Sequence, residues 1–270
     1  PTLALGIQEA HARGKKLYCV LNSAPHNAKL ETLVDDIAEV VALGPDALIV
    51  SDPGVIHLIR QHFPQVELHL SVQASATNLG ALSFYKEAFN IARVVLPRVL
   101  SMKQVRDLAK VSPVDLEVFA FGSLCIMAEG RCQLSSYVTG QSPNTGGSCS
   151  PAKHVRWQEE GQNRLTRLND VLIDKSALDE QMGYPVVCKG RYITADQDSP
   201  QYLLESPTSL NTLSLLPELA KAGIVSLKIE GRQRSPAYVR ALTKVWRAAI
   251  DNVKAAPDKF QTQDSWQATL

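Results

Sequence analysis

Four of the five cysteines have a pattern that would suit a shared metal group. They are Cys125, Cys132, Cys149 and Cys188, at intervals of 7, 17 and 39 residues. Structural zinc sites usually use paired Cys-x2-4-Cys knuckles, which this sequence lacks. An iron–sulfur cluster is bound by four thiolates whose spacing varies widely. The spacing therefore favours a cluster over zinc, and unrelated buried or redox thiols stay open as a third interpretation.

The first two of these thiols follow a predicted buried strand. Residues 116–122 form a short apolar and aromatic run that ends in glycine, as a strand does where its backbone leaves a sheet. Gly130 lies between Cys125 and Cys132, so the loop is free to curl and bring both sulfurs toward one point. Cys19 differs, because it lies inside an apolar strand and is interpreted as a small buried hydrophobe.

Polar side chains also gather where the predicted strands end. In a parallel barrel the active site is assembled from the loops at the carboxyl ends of the strands. We predict that Arg98 and Arg232 bind a carboxylate-bearing small molecule through bidentate hydrogen bonds, with Gln73 and Asn78 as further substrate-binding candidates. The alternative is that strand ends are simply where polar loops begin.

Glu117, Lys228 and Glu230 are the candidates for acid–base steps. Lys228 and Glu230 alternate along one predicted strand, so they share a face. Burial would shift their pKa values into a range useful for proton transfer. The alternative, that these residues form ion pairs inside a barrel, stays open.

Strand-like and helix-like segments alternate along most of the chain. Each predicted strand is short and apolar, and the segments between carry apolar residues at helical spacing. The predicted strands are residues 16–22, 47–51, 66–72, 93–96, 116–121 and 225–229, and the main predicted helices are residues 5–13, 30–43, 55–62, 102–110, 210–222 and 236–253.

This alternation predicts an α/β fold of repeated parallel βα units. Both an open doubly wound sheet and a closed (β/α)8 barrel accept the pattern. Six units are recognised where a barrel needs eight, and the chain opens abruptly at Pro1, so we expect a TIM-barrel-like domain lacking its first βα units. The barrel-like domain is predicted at 1–124 and 208–256, with a cysteine-rich iron–sulfur insertion at 125–207 after a late strand and an extended C-terminal tail at 257–270.

The composition is that of an ordinary soluble globular protein, with 45% hydrophobic and 20% charged residues. The net charge of +1 argues against a nucleic-acid partner, although a local basic patch stays open. No apolar run approaches the roughly 20 residues of a membrane span, and no signal peptide opens the chain. We expect a cytoplasmic protein, whose clustered cysteines would be metal ligands rather than disulfides.

Hydrolytic chemistry has little support in the sequence. Six histidines are present, but none accompanies a recognisable serine nucleophile elbow. Cys149 and His154 are close in sequence, which is weak evidence for a thiolate nucleophile with a histidine base. Peptidase activity is therefore a minor alternative.

Several short segments resemble the signature of the collagenase-like U-series peptidase family. The resemblance covers nearly the whole chain, through residues 71–78, 94–101, 117–127, 142–145, 149–152, 188–192 and 228–239. The signature positions are Glu117, Phe119, Gly122, Ser123, Leu124, Cys125, Gly130, Cys132, Leu134 and Ser135. The family name reflects an early protease assignment, yet members are associated with oxygen-independent hydroxylation of RNA bases and of a quinone precursor.

Within that family the chain looks most similar to UbiU, the ubiquinone-biosynthesis branch. The resemblance implies a 4Fe–4S cluster with one iron held by each of Cys125, Cys132, Cys149 and Cys188. It also implies a heterodimer with a related, UbiV-like member and anaerobic ring hydroxylation of a ubiquinone precursor, with prephenate as the candidate oxygen donor. The alternatives are prephenate-dependent hydroxylation of a tRNA or rRNA base, a peptidase, and a non-catalytic subunit whose cluster is structural or transfers electrons.

Overall fold

The computed structural model describes residues 2–129, 131–143, 149–180, 182–206, 208–231 and 234–270. The chain divides into two compact units. The first comprises Pro1–Ser123 and Ser209–Leu270, and the second comprises Leu124–Thr208.

The first unit is built on a mixed sheet of seven strands. Six of them are parallel, in the order β1-β2-β3-β4-β5-β12, and β11 pairs antiparallel with the end of β5. This arrangement confirms the predicted α/β class with a parallel sheet. The strands are β1 (Tyr18–Leu21), β2 (Ala47–Val50), β3 (Leu68–Leu70), β4 (Arg93–Val95), β5 (Asp115–Ser123), β11 (Ser209–Asn211) and β12 (Ser226–Ile229).

Helices connect these strands, and several begin at a residue whose side chain accepts a hydrogen bond from the first helical turn. Asp52 and Asn78 cap α3 and α4, and Ser101 forms a capping box with Gln104 at α5. Across the described ranges, none of the helices has the length and apolar character that a membrane span requires. The helices of this unit are α1 (Thr2–Ala12), α2 (Asn27–Ala42), α3 (Pro53–His62), α4 (Leu79–Phe89), α5 (Met102–Ala109), α7 (Leu216–Lys221), α8 (Pro236–Ala255) and α9 (Asp264–Thr269).

The two faces of the parallel sheet differ sharply in chemistry. Successive strand residues point to opposite faces. One face packs against the helices in a continuous apolar core, to which the strands contribute Leu48, Val50, Leu68, Leu70, Val94, Leu116 and Val118. The opposite face carries Tyr18, His69, Arg93, Glu117 and Lys228. The charged strand residues of this unit therefore lie on the second face, whereas the first is filled with hydrocarbon.

The described strands do not close into a barrel, and a TIM-barrel-like architecture lacking its first βα units stays a prediction. Among these strands, β1 pairs only with β2 and β12 pairs only with β5, so the sheet is open. Six parallel strands are present, and a (β/α)8 barrel requires eight.

The predicted helix at residues 210–222 begins instead as a strand. Residues Ser209–Asn211 pair with β5, and the Thr212 amide donates to the carbonyl of Ala120. Leu210 packs against a small buried cluster that includes Val95 and Phe119. Ladder hydrogen bonds and this contact override the local helical spacing, so α7 begins only at Leu216.

The predicted extended tail is also wrong. Residues Asp264–Thr269 form α9, and Trp266 is buried against α8. Its indole stacks on Phe260, with ring centroids 6.3 Å apart. A polar segment with scattered aromatics folds here because a tryptophan buries a large apolar area even when its neighbours are polar.

The second unit contains an antiparallel three-stranded sheet in the order β6-β7-β8. Arg191 ties its last strand to a following loop, because its Nε lies 2.6 Å from Asp174 Oδ1 and its Nη1 lies 3.0 Å from Glu180 Oε1. The described elements are α6 (Gln133–Thr139), β6 (Val155–Glu160), β7 (Asn163–Leu168), β8 (Val171–Ala177), β9 (Arg191–Tyr192) and β10 (Gln201–Tyr202).

Candidate functional site

The polar face of the parallel sheet is centred on the Glu117 carboxylate, which is buried. Ser226 Oγ donates to Glu117 Oε2 at 2.7 Å. Arg93 Nη1 lies 3.8 Å from the same oxygen, and Lys228 Nζ lies 3.9 Å from Oε1. The neighbouring strands β4, β5 and β12 supply these groups. The structure therefore brings the predicted candidates Glu117 and Lys228 together as an ion pair.

Glu230, the third acid–base candidate, is fixed at the end of β12. Its Oε1 accepts a hydrogen bond from Arg98 Nη2, and its Oε2 accepts one from the Ser123 amide at 2.8 Å. The Arg98 guanidinium is buried and lies over the Phe119 ring, 3.5 Å from its centroid. Lys228 Nζ lies 5.7 Å from the same centroid. A carboxylate ligand would have to compete with Glu230 for Arg98, whose role in substrate binding stays a prediction.

The other substrate-binding candidates are Asn78, Gln73 and Arg232, and the contacts given for the first two are local ones. Asn78 Oδ1 accepts from the Ala81 amide at 3.0 Å, so this oxygen caps α4. Gln73 lies in a short 3-10 turn, and its backbone N–H donates to Ser71 Oγ at 3.3 Å. Arg232 lies outside the described residues.

His69 is a buried polar residue that the sequence analysis did not select. Its Nε2 lies 2.7 Å from Glu67 Oε1, and its ring meets Tyr18 edge-on at a centroid distance of 4.8 Å. Burial lowers the pKa of His69, and nearby Arg93 lowers it further, while Glu67 opposes the change. Arg93 was also missed. The signal for His69 was a polar residue between two leucines of β3, whereas Arg93 at the start of β4 gave only a charge beside an apolar run.

All four predicted cluster thiols lie in the second unit. Cys132 stands at the start of α6, where its Sγ accepts from the Ser135 amide at 3.4 Å. Ser135 Oγ in turn donates to the backbone carbonyl of Cys149. Cys125 Sγ lies 3.5 Å from the Met127 carbonyl oxygen. These hydrogen bonds connect two of the four cysteine segments directly.

The four thiols are reduced and close enough for their charges to interact. None is in a disulfide. Although Cys149 retains exposed surface, enough protein surrounds it that burial raises the pKa of its thiol to about 12, and repulsion from Cys132, Cys125 and Cys188 adds to the increase. Burial likewise raises the pKa of Cys188 to about 11, with repulsion from Cys132 and Cys125. A positive metal group would reverse this cost by stabilising the thiolates.

A single ion and a multi-iron cluster place different geometric demands on the four thiols. Among the described residues, no group of three His, Cys, Asp or Glu side chains converges to hold one metal ion. In a 4Fe–4S cluster each thiolate binds a different iron, so the sulfurs do not have to converge on one point. The four thiols belong to one compact unit, and none is in a disulfide.

The geometry argues against a thiolate peptidase at Cys149. A nucleophilic cysteine needs a lowered pKa, whereas that of Cys149 is raised to about 12. His154, the nearby candidate base, has its Nδ1 2.7 Å from Asn169 Oδ1. Asn169 Nδ2 also donates to the Val138 carbonyl at 2.6 Å, so this histidine belongs to a structural hydrogen-bond chain.

The chain is similar over most of its length to one protein family and to several of its relatives. The profile described as peptidase family U32 matches residues 2–270. The chain is 39% identical to tRNA hydroxylation protein P of Escherichia coli over 96% of this chain and 60% of the relative. It is 36% identical to the protein of the same name from Haemophilus influenzae, over 94% and 59%. It is also 30% identical to the 23S rRNA 5-hydroxycytidine C2501 synthase of Escherichia coli, over 90% and 32%.

These relatives support hydroxylation, and they favour the alternative expectation over the main one. Their names concern hydroxylation of tRNA and rRNA, which was the alternative, whereas ubiquinone biosynthesis was the main expectation. The chain spans about six tenths of the length of the two tRNA hydroxylation proteins.

We expect Gly122→Ala to lower the free energy of unfolding by about 1–3 kcal/mol. Gly122 has a φ of 155°, and an added methyl group would collide with the Glu230 carboxylate. Glu230 would then lose its contacts with Ser123 and Arg98. Urea denaturation of both proteins measures the difference.

The matched control is Gly6→Ala in α1, where the nearest atom to an added methyl is Leu17 Cδ1 at 3.7 Å. This variant should be as stable as the parent or more stable by up to about 1 kcal/mol. An unchanged stability of Gly122→Ala would contradict the placement of Glu230.

The lowered pKa of His69 predicts a loss of stability in mild acid. In the unfolded chain His69 takes up a proton near its ordinary pKa of 6.5, whereas the buried ring of the folded protein stays neutral to lower pH. The free energy of unfolding therefore falls as the pH drops below about 6.5. In His69→Gln this contribution is absent. The stability advantage of the parent protein over His69→Gln should therefore shrink between pH 7 and pH 5, as measured by denaturation at each pH. A pH-independent difference would show that His69 titrates normally.

Proposed function

Because the chain belongs to peptidase family U32, we propose that it takes part in oxygen-independent hydroxylation of an RNA base. The observation that carries this proposal is the 39% identity to a tRNA hydroxylation protein across 96% of this chain. The raised pKa of Cys149 separately disfavours a thiolate peptidase at that residue.

Cys125, Cys132, Cys149 and Cys188 would hold a 4Fe–4S cluster in the second unit. When bound, such a cluster supplies electron transfer or structural support, because four protein thiolates fill its iron sites. The chain contributes four reduced thiols from one compact unit. Loading would release protons from Cys149 and Cys188, whose pKa values lie near 12 and 11 in the metal-free chain.

The polar face of the first unit would bind the small-molecule oxygen donor. Lys228 is the group best placed to reach a ligand, because about a third of its side chain is exposed while Glu117 holds it from one side. Arg98 stacks on Phe119 and positions Glu230. Prephenate, with two carboxylates, remains the candidate donor and would displace Glu230 from Arg98 on binding.

Closure of the sheet into a (β/α)8 barrel also remains a proposal, since two more parallel strands are needed.

Deleting the gene for the full-length protein tests the substrate class. We expect one hydroxylated nucleoside to disappear from tRNA or rRNA, as measured by mass spectrometry of digested RNA, while the ubiquinone content stays normal under anaerobic growth. An accumulated quinone precursor with unchanged RNA would instead support the ubiquinone alternative, and affinity purification would then be expected to recover a related partner subunit.

Cysteine substitutions test the cluster. The anaerobically purified protein should contain about four irons and four sulfides per chain, and Cys125→Ala or Cys188→Ala should lose most of both. Cys19→Ala is the matched control, because Cys19 is buried in β1 of the first unit and should leave the iron content unchanged. Stoichiometric zinc, or equal iron loss in the control, would contradict this assignment.

A further inference from the structure

The three-stranded sheet of the second unit has one exposed face that is rich in cations. Strand alternation and register place Arg156, Arg167 and Lys175 on this face, with the acid Glu160 at the far end of β6. Arg156 lies directly opposite Arg167, and Lys175 lies opposite Leu165 in the next row. Arg156 and Lys175 are exposed. We call these three residues the basic face.

The opposite face of the same sheet is mostly covered, although Trp157 on the edge strand is about half exposed. It carries Thr166, Leu168, Asp174 and Ser176, all of which are buried. Thr166 and Asp174 line a small cavity together with residues of the following loop, including Met182 and Tyr184. The sheet therefore packs mainly on this side, and the basic face is the more open one apart from the buried Leu165.

The cross-strand pair of arginines is unfavourable in the isolated chain. Like charges directly opposite one another on a sheet are destabilising. Among the described residues, no carboxylate forms an ion pair with Arg156, Arg167 or Lys175. The two guanidinium groups donate only to backbone carbonyls, those of Lys153 and Val155 for Arg156 and that of Asp170 for Arg167. An anionic partner would relieve this repulsion.

We infer that the basic face binds the phosphate backbone of the RNA substrate. This inference rests on the proposed function and adds to it the surface that holds the nucleic acid. Alternating residues on one strand are about 7 Å apart and neighbouring strands about 5 Å apart, so the three cations can contact neighbouring phosphates. Arginine suits this role because its planar fork matches phosphate oxygens. The protein's net charge of +1 hides the local excess of positive charge.

The test is the binding of a labelled tRNA to the purified, cluster-loaded protein across a range of salt concentrations. We expect the triple variant Arg156→Gln, Arg167→Gln, Lys175→Gln to bind at least tenfold more weakly than the parent. The plot of log affinity against log salt has a negative slope, and its magnitude should fall by about 2–3 in the triple variant. Each lost phosphate contact removes close to one unit of that slope. Unchanged iron content and circular dichroism show that the variant is folded.

Arg164→Gln is the matched control. Arg164 lies on the same strand β7 but on the opposite face, with Nη2 4.0 Å from Glu159 Oε1, and its loss should change the affinity less than twofold. Tight binding by the triple variant, or an equal loss in Arg164→Gln, would overturn the basic face while leaving the proposed function intact. Failure of the parent protein to bind tRNA at low salt would overturn both.

Discussion

The polar face of the parallel sheet depends on compensation of one buried carboxylate. Glu117 is nearly inaccessible to solvent, and a buried charge is stable only when other groups offset the loss of hydration. Ser226, Arg93 and Lys228 provide this compensation from two neighbouring strands. The same carboxylate fixes the position of Lys228 near Phe119, on whose ring Arg98 is stacked. Removing its charge would therefore affect the whole row of cations, rather than a single pair.

The elements of the first unit could be predicted from sequence because local signals and tertiary packing agree there. The strands at Ala47–Val50 and Arg93–Val95 are apolar runs, and the helices between them show apolar periodicity and caps. The prediction failed where a long-range partner decides the structure. Residues Ser209–Asn211 form a strand because they make ladder hydrogen bonds with β5. The local sequence pattern does not show this long-range pairing. Trp266 similarly organises a short helix through a contact with α8 that the polar composition conceals.

The candidate site was predictable in part for the same reason. Glu117, Lys228 and Glu230 could be selected because charged residues in apolar strands are conspicuous. Their partners could not be assigned, since Arg98 meets Glu230 across 132 positions of sequence. The four cysteines were recognisable by residue type, whereas their mutual repulsion follows only from the fold. The choice between an RNA base and a quinone precursor depended on relatives, because no single residue of the chain distinguishes the two.

The antiparallel pairing of Ser123 with Ser209 means that the second unit leaves and rejoins the first sheet at adjacent positions. Directly opposed residues of an antiparallel pair have Cα atoms only about 5 Å apart. Pairing these two strand ends costs conformational entropy, because the ends of the inserted segment must be held together. This entropic cost rises only slowly with the length of the inserted segment. The length of the cysteine-bearing unit is therefore not constrained by the strands that carry the charged face.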